Sequence, residues 1–311
     1  MNQVFVTGGS GFVGSHLVDK LVEDGKKVTV LDDFSNGNQE NLRSVKDKIK
    51  IIDFDISGSW ETLSDTNPDV IFHLATHPRS FSLQNPVRNM EVNVLGTLNV
   101  LEFAKKKRSK VIYTSNSGIC GDPKFLPVTE DHQDDCKTPY DANKLVGENY
   151  AKIYHEIHGL HTITFRLATV YGERQRPNLR LGWKPLIPQL VEDIESGRNP
   201  IINWDGEQTR DLIHVDDVVR ALILGAESEK YGGEMFLLST NVETSVNKVL
   251  QLISKITGKN VEVKYVDKLP GDLRRMVLSY EKAKNAFGFV PQISVEIGIQ
   301  RYVNWYRKNK R

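Results

Sequence analysis

The sequence predicts an α/β fold: a doubly wound parallel sheet of the Rossmann kind, followed by a smaller C-terminal α/β lobe. Three observations carry that expectation. Short β-branched runs alternate with longer amphipathic stretches up to about residue 170, a glycine-spaced loop joins the first strand to the first helix, and the alternation breaks after "VYGERQRP". Strands alternating with helices cover both faces of a parallel sheet, and a cluster of prolines marks where a chain leaves that rhythm.

Taken in order, "QVFVT" (3–7), "KVTVLD" (27–32), "IKIIDF" (49–54), "VIFHLA" (70–75), "KVIYTS" (110–115) and "TITFRL" (162–167) read as strands. Helices are expected over 12–25, 86–107 and 138–158, the second opening with Pro86 in its first turn, where a missing N–H costs nothing. Pro177, Pro185, Pro188 and Pro200 then interrupt mixed segments. "HVDDVVRALILGAE" (214–227) and "EMFLLS" (234–239) read as a helix and strand returning to the sheet, and the tail alternates again from Thr244 to "SVEIGIQRYVNWYRK". The resulting division is a dinucleotide-binding domain over 1–170 with a return segment at about 211–242, and a second lobe built from 171–210 and 243–311.

Composition narrows the function. With 311 residues and 39% hydrophobic content the chain can bury a large core and a smaller lobe. Lys and Arg number 41 against 40 Asp and Glu, a net charge of +1, so no global field draws nucleic acid or an acidic membrane. An anionic ligand must be held by a local cluster. Cys120 and Cys136 are too few for a disulfide framework, lack metal-ligand spacing, and read as reduced thiols. No 18-residue apolar run is present, and Met1 leads at once into "VFVTGG", leaving no room for a signal peptide, so a cytoplasmic protein is expected.

The first chemical motif is "TGGSGFVGSHLVDKLVEDG", with Gly8, Gly11 and Gly14 spaced G-x-x-G-x-x-G between strand and helix. Such glycines turn the chain tightly and let backbone amides at a helix start approach a pyrophosphate, with Phe12 and Val13 in the same loop. The second strand ends at Asp32, at the distance expected of a carboxylate that accepts hydrogen bonds from a ribose. A carboxylate there repels a 2′-phosphate, and no Arg directly follows it in "LDDFSNGN", which also holds Asp33 and Asn36. NAD is therefore predicted rather than NADP.

The second constellation is Tyr140 and Lys144 in "TPYDANKLVGENY", four residues apart on one helix face. A neighbouring ammonium favours phenolate over phenol, which is expected to lower the tyrosine's pKa toward the range of a general base. The pair follows a strand ending in Ser115, after the dinucleotide motif.

At this point the chain resembles the extended short-chain dehydrogenase/reductases, and within them the nucleotide-sugar epimerases and dehydratases similar to UDP-glucose 4-epimerase. The resemblance spans nearly the whole chain through "TGGSGFVG", "FDI", "HLAT", "NVLGTLNVLE", "YTSNSGICGDP", "PYDANKLVGE", "VYGERQRP", "GEQTRDLIHVDDVVRA" and "PGDLRRMVLSYEKAKNAFGF". It implies that Asp55 and Ile56 lie at the adenine, Leu74, Ala75 and Thr76 along the cofactor's diphosphate and ribose, and Asn93 behind the active site. It also implies that Ser115, Tyr140 and Lys144 border the cofactor, and that Arg210 with Arg274 or Arg275 clamps the diphosphate of a nucleotide sugar, by implication a UDP-sugar. A planar guanidinium suits that task. Members of this family oxidise the sugar at C4, with Tyr taking the hydroxyl proton; an epimerase then returns the hydride to the other face, recycling NAD. The helices at 86–107 and 138–158 correspond to those that form a homodimer interface in similar enzymes.

Two positions depart from the family's pattern. Counting back from Gly121, the hydroxyl that assists Tyr in "S-x-x-V-Y-G" is replaced by Asn116, with Ser115 and Ser117 beside it and Cys120 in place of the tyrosine. Thr169 stands where the family has the Asn of "N-V-Y-G", so Asn116 and Thr169 are expected to face the sugar. An amide can orient a hydroxyl but cannot relay a proton, and Ser115 or Ser117 is the alternative source of that hydroxyl. Dehydratases and decarboxylases of the family carry a carboxylate after this position, whereas Ser117 and Gly118 follow here. C4 epimerisation is therefore the predicted reaction, with another NAD-dependent nucleotide-sugar oxidoreductase or dehydratase of the same family, or a non-catalytic sensor of NAD and nucleotide sugar, as alternatives.

Overall fold

The computed structural model describes residues 1–177, 185–268 and 272–309. Its elements in chain order are β1 (Gln3–Thr7), α1 (Phe12–Glu23), β2 (Lys27–Asp32), β3 (Lys50–Asp53), β4 (Val70–His73), α2 (Arg79–Ser82), α3 (Pro86–Met90), α4 (Gly96–Lys107), β5 (Lys110–Asn116), α5 (Pro139–His158), β6 (Thr162–Leu167) and β7 (Thr169–Tyr171). There follow α6 (Leu186–Glu195), β8 (Ile201–Asn203), β9 (Thr209–His214), α7 (Val215–Glu227), β10 (Glu234–Leu238), β11 (Glu243–Ser245), α8 (Val246–Thr257), β12 (Lys264–Val266), α9 (Glu281–Phe287) and α10 (Val295–Asn309).

Seven strands form one parallel sheet in the order β10-β6-β5-β4-β1-β2-β3. The strands are the runs read from sequence; the inner ones are buried on both sides as a parallel sheet requires, while β3 at the edge is only half-buried. One face packs Leu17, Val18 and Leu21 of α1 with Val218 and Leu222 of α7. The other packs Val100, Leu101 and Phe103 of α4 with Tyr154 of α5. The chain reverses its winding between β1 and β4, and the carboxyl ends of these strands open a crevice there, the place such sheets offer a ligand.

Beside this sheet, β7, β9 and β11 form a three-stranded mixed sheet and β8 pairs with β12. Ile187, Leu190, Val249, Ile253, Ile299 and Tyr302 from α6, α8 and α10 make a separate apolar cluster. Positions 178–184 and 269–271, including Pro270 and Gly271 of "PGDLRRM", lie outside the described residues.

Several expected bounds shift for local reasons. α1 stops at Glu23 because Gly25 adopts a left-handed φ of 73°. β4 stops at His73 because the next amides turn inward, Ala75 N donating to Thr7 Oγ1. The helix expected over 86–107 is three pieces: α3, a π-helical turn over Glu91–Leu95, and α4. α5 begins after Thr138, whose hydroxyl accepts from Asp141 N, and ends at Gly159 in the left-handed region. Among the described residues no helix is long and apolar enough to cross a membrane.

Candidate active site

Three connected cavities run along the crevice. The first, of about 420 Å³, is lined by Gly8, Gly11, Phe12, Val13 and Gly14, by Asp32, Asp33 and Asn36, by Asp55 and Ile56, and by Leu74, Ala75 and Thr76. The second, of about 440 Å³, is lined by Ser115, Asn116, Ser117, Thr169 and Arg210. Phe12, Val13, Arg79 and Tyr140 line both and so form the seam between them. The third, of about 710 Å³, joins the second at Thr169, Leu186, Arg210 and Asp272.

The first cavity fits a dinucleotide. α1 opens on Gly11 with no side-chain cap, leaving the first-turn amides for an anion. Glycine is required for this approach: Gly8 has a φ of 69°, and a Cβ at Gly14 would lie 2.1 Å from Gly8 O. Asp32 sits at the end of β2, its oxygens each accepting a backbone N–H at 2.9 Å, from Ser10 and Phe34. Burial pushes its carboxyl above the usual range, against those hydrogen bonds. Asp55 is occupied by Ser57 and by Arg88, whose Nη2 lies 2.6 Å away; burial would raise its pKa, but these bonds hold it below the ordinary value. Arg88 also lines the cavity, 3.9 Å from Asp33. Asn93 is buried behind the cavity, its Oδ1 accepting from Thr76 Oγ1 and His77 N at 2.9 Å each.

At the seam, Tyr140 and Lys144 share a face of α5. Lys144 is 3% exposed, and its Nζ lies 4.2 Å from the centre of the Tyr113 ring. Burial drives its pKa down to about 7, opposed by Glu148. The expected sign for Tyr140 is reversed: burial raises the phenol above its ordinary value, outweighing the Thr76 hydrogen bond and the Arg79 charge that pull it down. Spacing places Lys144 on the same helix face, but its ammonium sits over the Tyr113 ring, and desolvation of the phenolate is the largest effect on Tyr140.

Asn116 caps the turn Ser117–Cys120, its Oδ1 accepting from Gly118 N at 2.7 Å. Its Nδ2 is buried without a hydrogen-bond partner, and so is Ser115 Oγ. The amide is oriented by the backbone donor, and Asn116 lines the second cavity. Arg210, between the second and third cavities, is held by the carbonyls of Thr209 at 2.8 Å and Leu273 at 2.9 Å, with Asp272 3.6 Å away. Burial lowers its pKa. Arg274 and Arg275 are not brought to these cavities. Arg274 stacks on Trp204 and pairs with Asp205 at 2.8 Å, and Arg275 pairs with Glu243 at 2.9 Å. Both guanidinium groups are held by local carboxylates instead.

A model described as the NAD dependent epimerase/dehydratase family matches residues 4–238. The chain belongs to that family.

Among relatives of this epimerase/dehydratase, UDP-glucose 4-epimerase of Mycolicibacterium smegmatis is 36% identical over 98% of each chain. The structure of UDP-glucose 4-epimerase from Thermotoga maritima with UDP-glucose is 34% identical, with a TM-score of 0.94 over 99% of this chain and 100% of that one. The Thermus thermophilus UDP-glucose 4-epimerase complex with NAD is 30% identical, with a TM-score of 0.89 over 99% of each.

Sequence reasoning missed several groups around the epimerase/dehydratase site. Arg79, in the short helix after β4, reaches the seam and lies 3.5 Å from Asp141; its only signal was a basic residue just beyond "HLAT". Glu148, one turn after Lys144, forms a buried bidentate pair with Arg166 at 2.8–3.0 Å, and Arg166 also holds Asp134 at 2.9 Å. His73 belongs to a chain whose direction is fixed. Thr97 Oγ1 donates to Asn93 O at 2.7 Å, so His73 Nε2–H donates to Thr97, and Nδ1 accepts from Thr7, which in turn accepts from Ala75 N. Burial pushes His73 down to about 3, so this imidazole is neutral.

Proposed function

We propose that the chain catalyses NAD-dependent epimerisation at C4 of a nucleotide-diphosphate sugar, with a UDP-sugar as substrate. The carrying observation is Tyr140 at the seam between a dinucleotide-shaped cavity and a second cavity, with Lys144 one helical turn on. Bound NAD supplies a reversible hydride acceptor at that seam. The glycine loop and Asp32 hold the dinucleotide, with Asp33, Asn36, Asp55, Ile56, Leu74 and Ala75 around it. Arg210 holds the sugar's diphosphate between the second and third cavities, placing binding energy on the part that does not react. Tyr140 takes and returns the C4 hydroxyl proton, the Lys144 ammonium favours its phenolate, and Asn116 Nδ2 and Thr169 orient the sugar. A donor N–H is suited to the oxygen of the 4-keto sugar, which needs only to accept. Ser117 and Gly118 put no carboxylate beside Asn116, which supports epimerisation over dehydration.

In this reading residues 1–170 with about 211–242 form the cofactor domain, and 171–210 with 243–311 the nucleotide-sugar lobe. The enzyme acts as a cytoplasmic homodimer. Leu83, Val87, Met90 and Leu95 beside α3, with Val146, Ile153 and Ile157 on α5, leave an exposed apolar surface that supports the dimer. Incubation of the NAD-loaded protein with UDP-, dTDP-, GDP- and CDP-sugars, read for C4 epimers and for NADH, tests the function. Tight binding of one sugar without conversion would make the chain a recognition protein instead. Light scattering tests the dimer: Ile157→Glu is expected to give a monomer, and a monomeric parent chain at micromolar concentration rejects the assembly.

A further inference from the structure

Lys144 is 3% exposed, yet among the described residues its Nζ has no ion pair and no hydrogen bond. The carboxylate placed to serve it is Glu148, one turn further along α5, but both Glu148 oxygens are taken by Arg166 in bonds of 2.8–3.0 Å. What meets the ammonium instead is the Tyr113 ring of β5, whose centre lies 4.2 Å from Nζ. That ring is fixed on its own account. Tyr113 is 1% exposed, pairs in register with His73 on β4 and stacks on its imidazole at 5.4 Å. It also lies against α5 at Gly147, where a Cβ would stand 2.3 Å from the Tyr113 hydroxyl oxygen. Burial above all holds the Tyr113 phenol well above its ordinary pKa, so the ring stays neutral.

We propose that Tyr113 is a positioning residue for Lys144: its ring face holds the ammonium charged and unpaired beside the proposed base, with the N–H donors left for the bound cofactor and the Tyr140 phenolate. This rests on the epimerase reading above. A carboxylate in the same place would also hold the lysine, but it would cancel the positive field at Tyr140 and occupy the donors. An aromatic face attracts a cation through its quadrupole, carries no net charge, and does so most strongly where water is excluded. The charge of Lys144 is therefore left to favour phenolate. Arg166 belongs to the same arrangement: tied to Asp134 at 2.9 Å as well as to Glu148, it keeps the nearest carboxylate of α5 away from the lysine.

The test separates the face of the ring from its bulk. Tyr113→Phe removes only the hydroxyl, whose bond to Lys144 O is a long 3.4 Å, and successively fluorinated phenylalanines at the same position keep the shape while draining negative charge from the face. The other ionisable groups around Lys144 are Tyr140 and Glu148 on α5, His73 on β4 and, bonded to Glu148, Arg166 on β6; all are constant along this series. In the cofactor-free protein the Lys144 titration is followed by the Cε resonance of labelled lysine, assigned with Lys144→Met. Tyr113→Phe is expected to titrate as the parent does, and fluorination to lower the midpoint stepwise by a total of about 0.4 to 1.5 pH units, the worth of one cation–π contact. On whichever nucleotide sugar the parent converts, kcat at pH 7 is expected to fall in the same order with KM nearly unchanged. A midpoint that stays constant along the series overturns the proposal and leaves the ring as packing alone. So does a Tyr113→Phe variant that already shows the full loss, which would assign the effect to the hydroxyl, or a series in which KM rises while kcat holds. If the parent converts no nucleotide sugar, the epimerase reading fails, and the lysine midpoint by itself upholds or overturns the hold of the ring on Lys144.

Discussion

Lys144 is held at a cost that can be measured. Its pKa falls from 10.5 to about 7 because its ammonium is buried, three and a half units at 1.36 kcal/mol each, or about 5 kcal/mol. The sign follows from linkage. Between pH 7 and 10.5 the unfolded chain binds the proton and the folded chain does not, so stability rises with pH across that window. The penalty is fully present below pH 7 and gone above 10.5. Lys144→Met keeps an unbranched apolar stem and removes the charge. In cofactor-free protein, where ligand linkage does not enter, the variant is expected to be more stable than the parent by up to about 5 kcal/mol at pH 6, with the difference shrinking steadily toward pH 10. Urea unfolding of both proteins at pH 6, 8 and 10 measures it. The same substitution is expected to abolish turnover. A variant less stable than the parent, or a difference that does not change with pH, would refute the claim that burial of the charge governs this site.

Three further expectations concern the surroundings. Asp32→Ala removes an acceptor at the dinucleotide cavity and is expected to weaken NAD about 10- to 100-fold by calorimetry while narrowing the preference over NADP; equal NAD affinity would dismiss the ribose assignment. Glu148→Gln leaves the buried Arg166 with Asp134 as its remaining carboxylate, and is expected to cost about 3 kcal/mol in chemical denaturation, with less than about 1 kcal/mol counting against a tightly coupled pair. Arg210→Met is expected to raise KM for the nucleotide sugar by about tenfold or more, as for a lost charge-assisted bond, with kcat nearly unchanged; a fall in kcat at constant KM would instead place Arg210 at the reacting centre.

The sheet was legible because each strand is a compact β-branched run, and "QVFVT", "KVTVLD" and "TITFRL" match β1, β2 and β6 end to end. The glycine loop and the Tyr140–Lys144 pair were legible because each is local: one turn of backbone in the first case, one turn of helix in the second. What escaped depends on contacts between distant parts of the chain. Arg79 was passed over because nothing in "HPRS" says that the short helix after β4 carries it to the wall shared with Tyr140. Arg274 was placed on a diphosphate, yet the Trp204 ring and Asp205 offer it a stacked ion pair that only the folded loop creates. The sign of the Tyr140 shift was misjudged for a similar reason. Spacing on a helix reports proximity of a charge but says nothing of how much water the fold removes.

The π-helical turn at Glu91–Leu95 also bears on how such a site can change over generations. A turn of this kind holds one residue more than the α-helical path it replaces, and it lies where Asn93 meets Thr76 and His77. Loss of a single codon in this stretch would let the turn relax into a continuous α-helix while the helix on either side keeps its facing, because the extra residue is absorbed within the turn itself. The helix, and with it the sheet it covers, would survive, but Asn93 would no longer face both of its partners. A one-residue deletion can thus reset the support behind the base without dismantling the scaffold, so descendants of this gene can diverge in chemistry through changes in length as well as through substitutions.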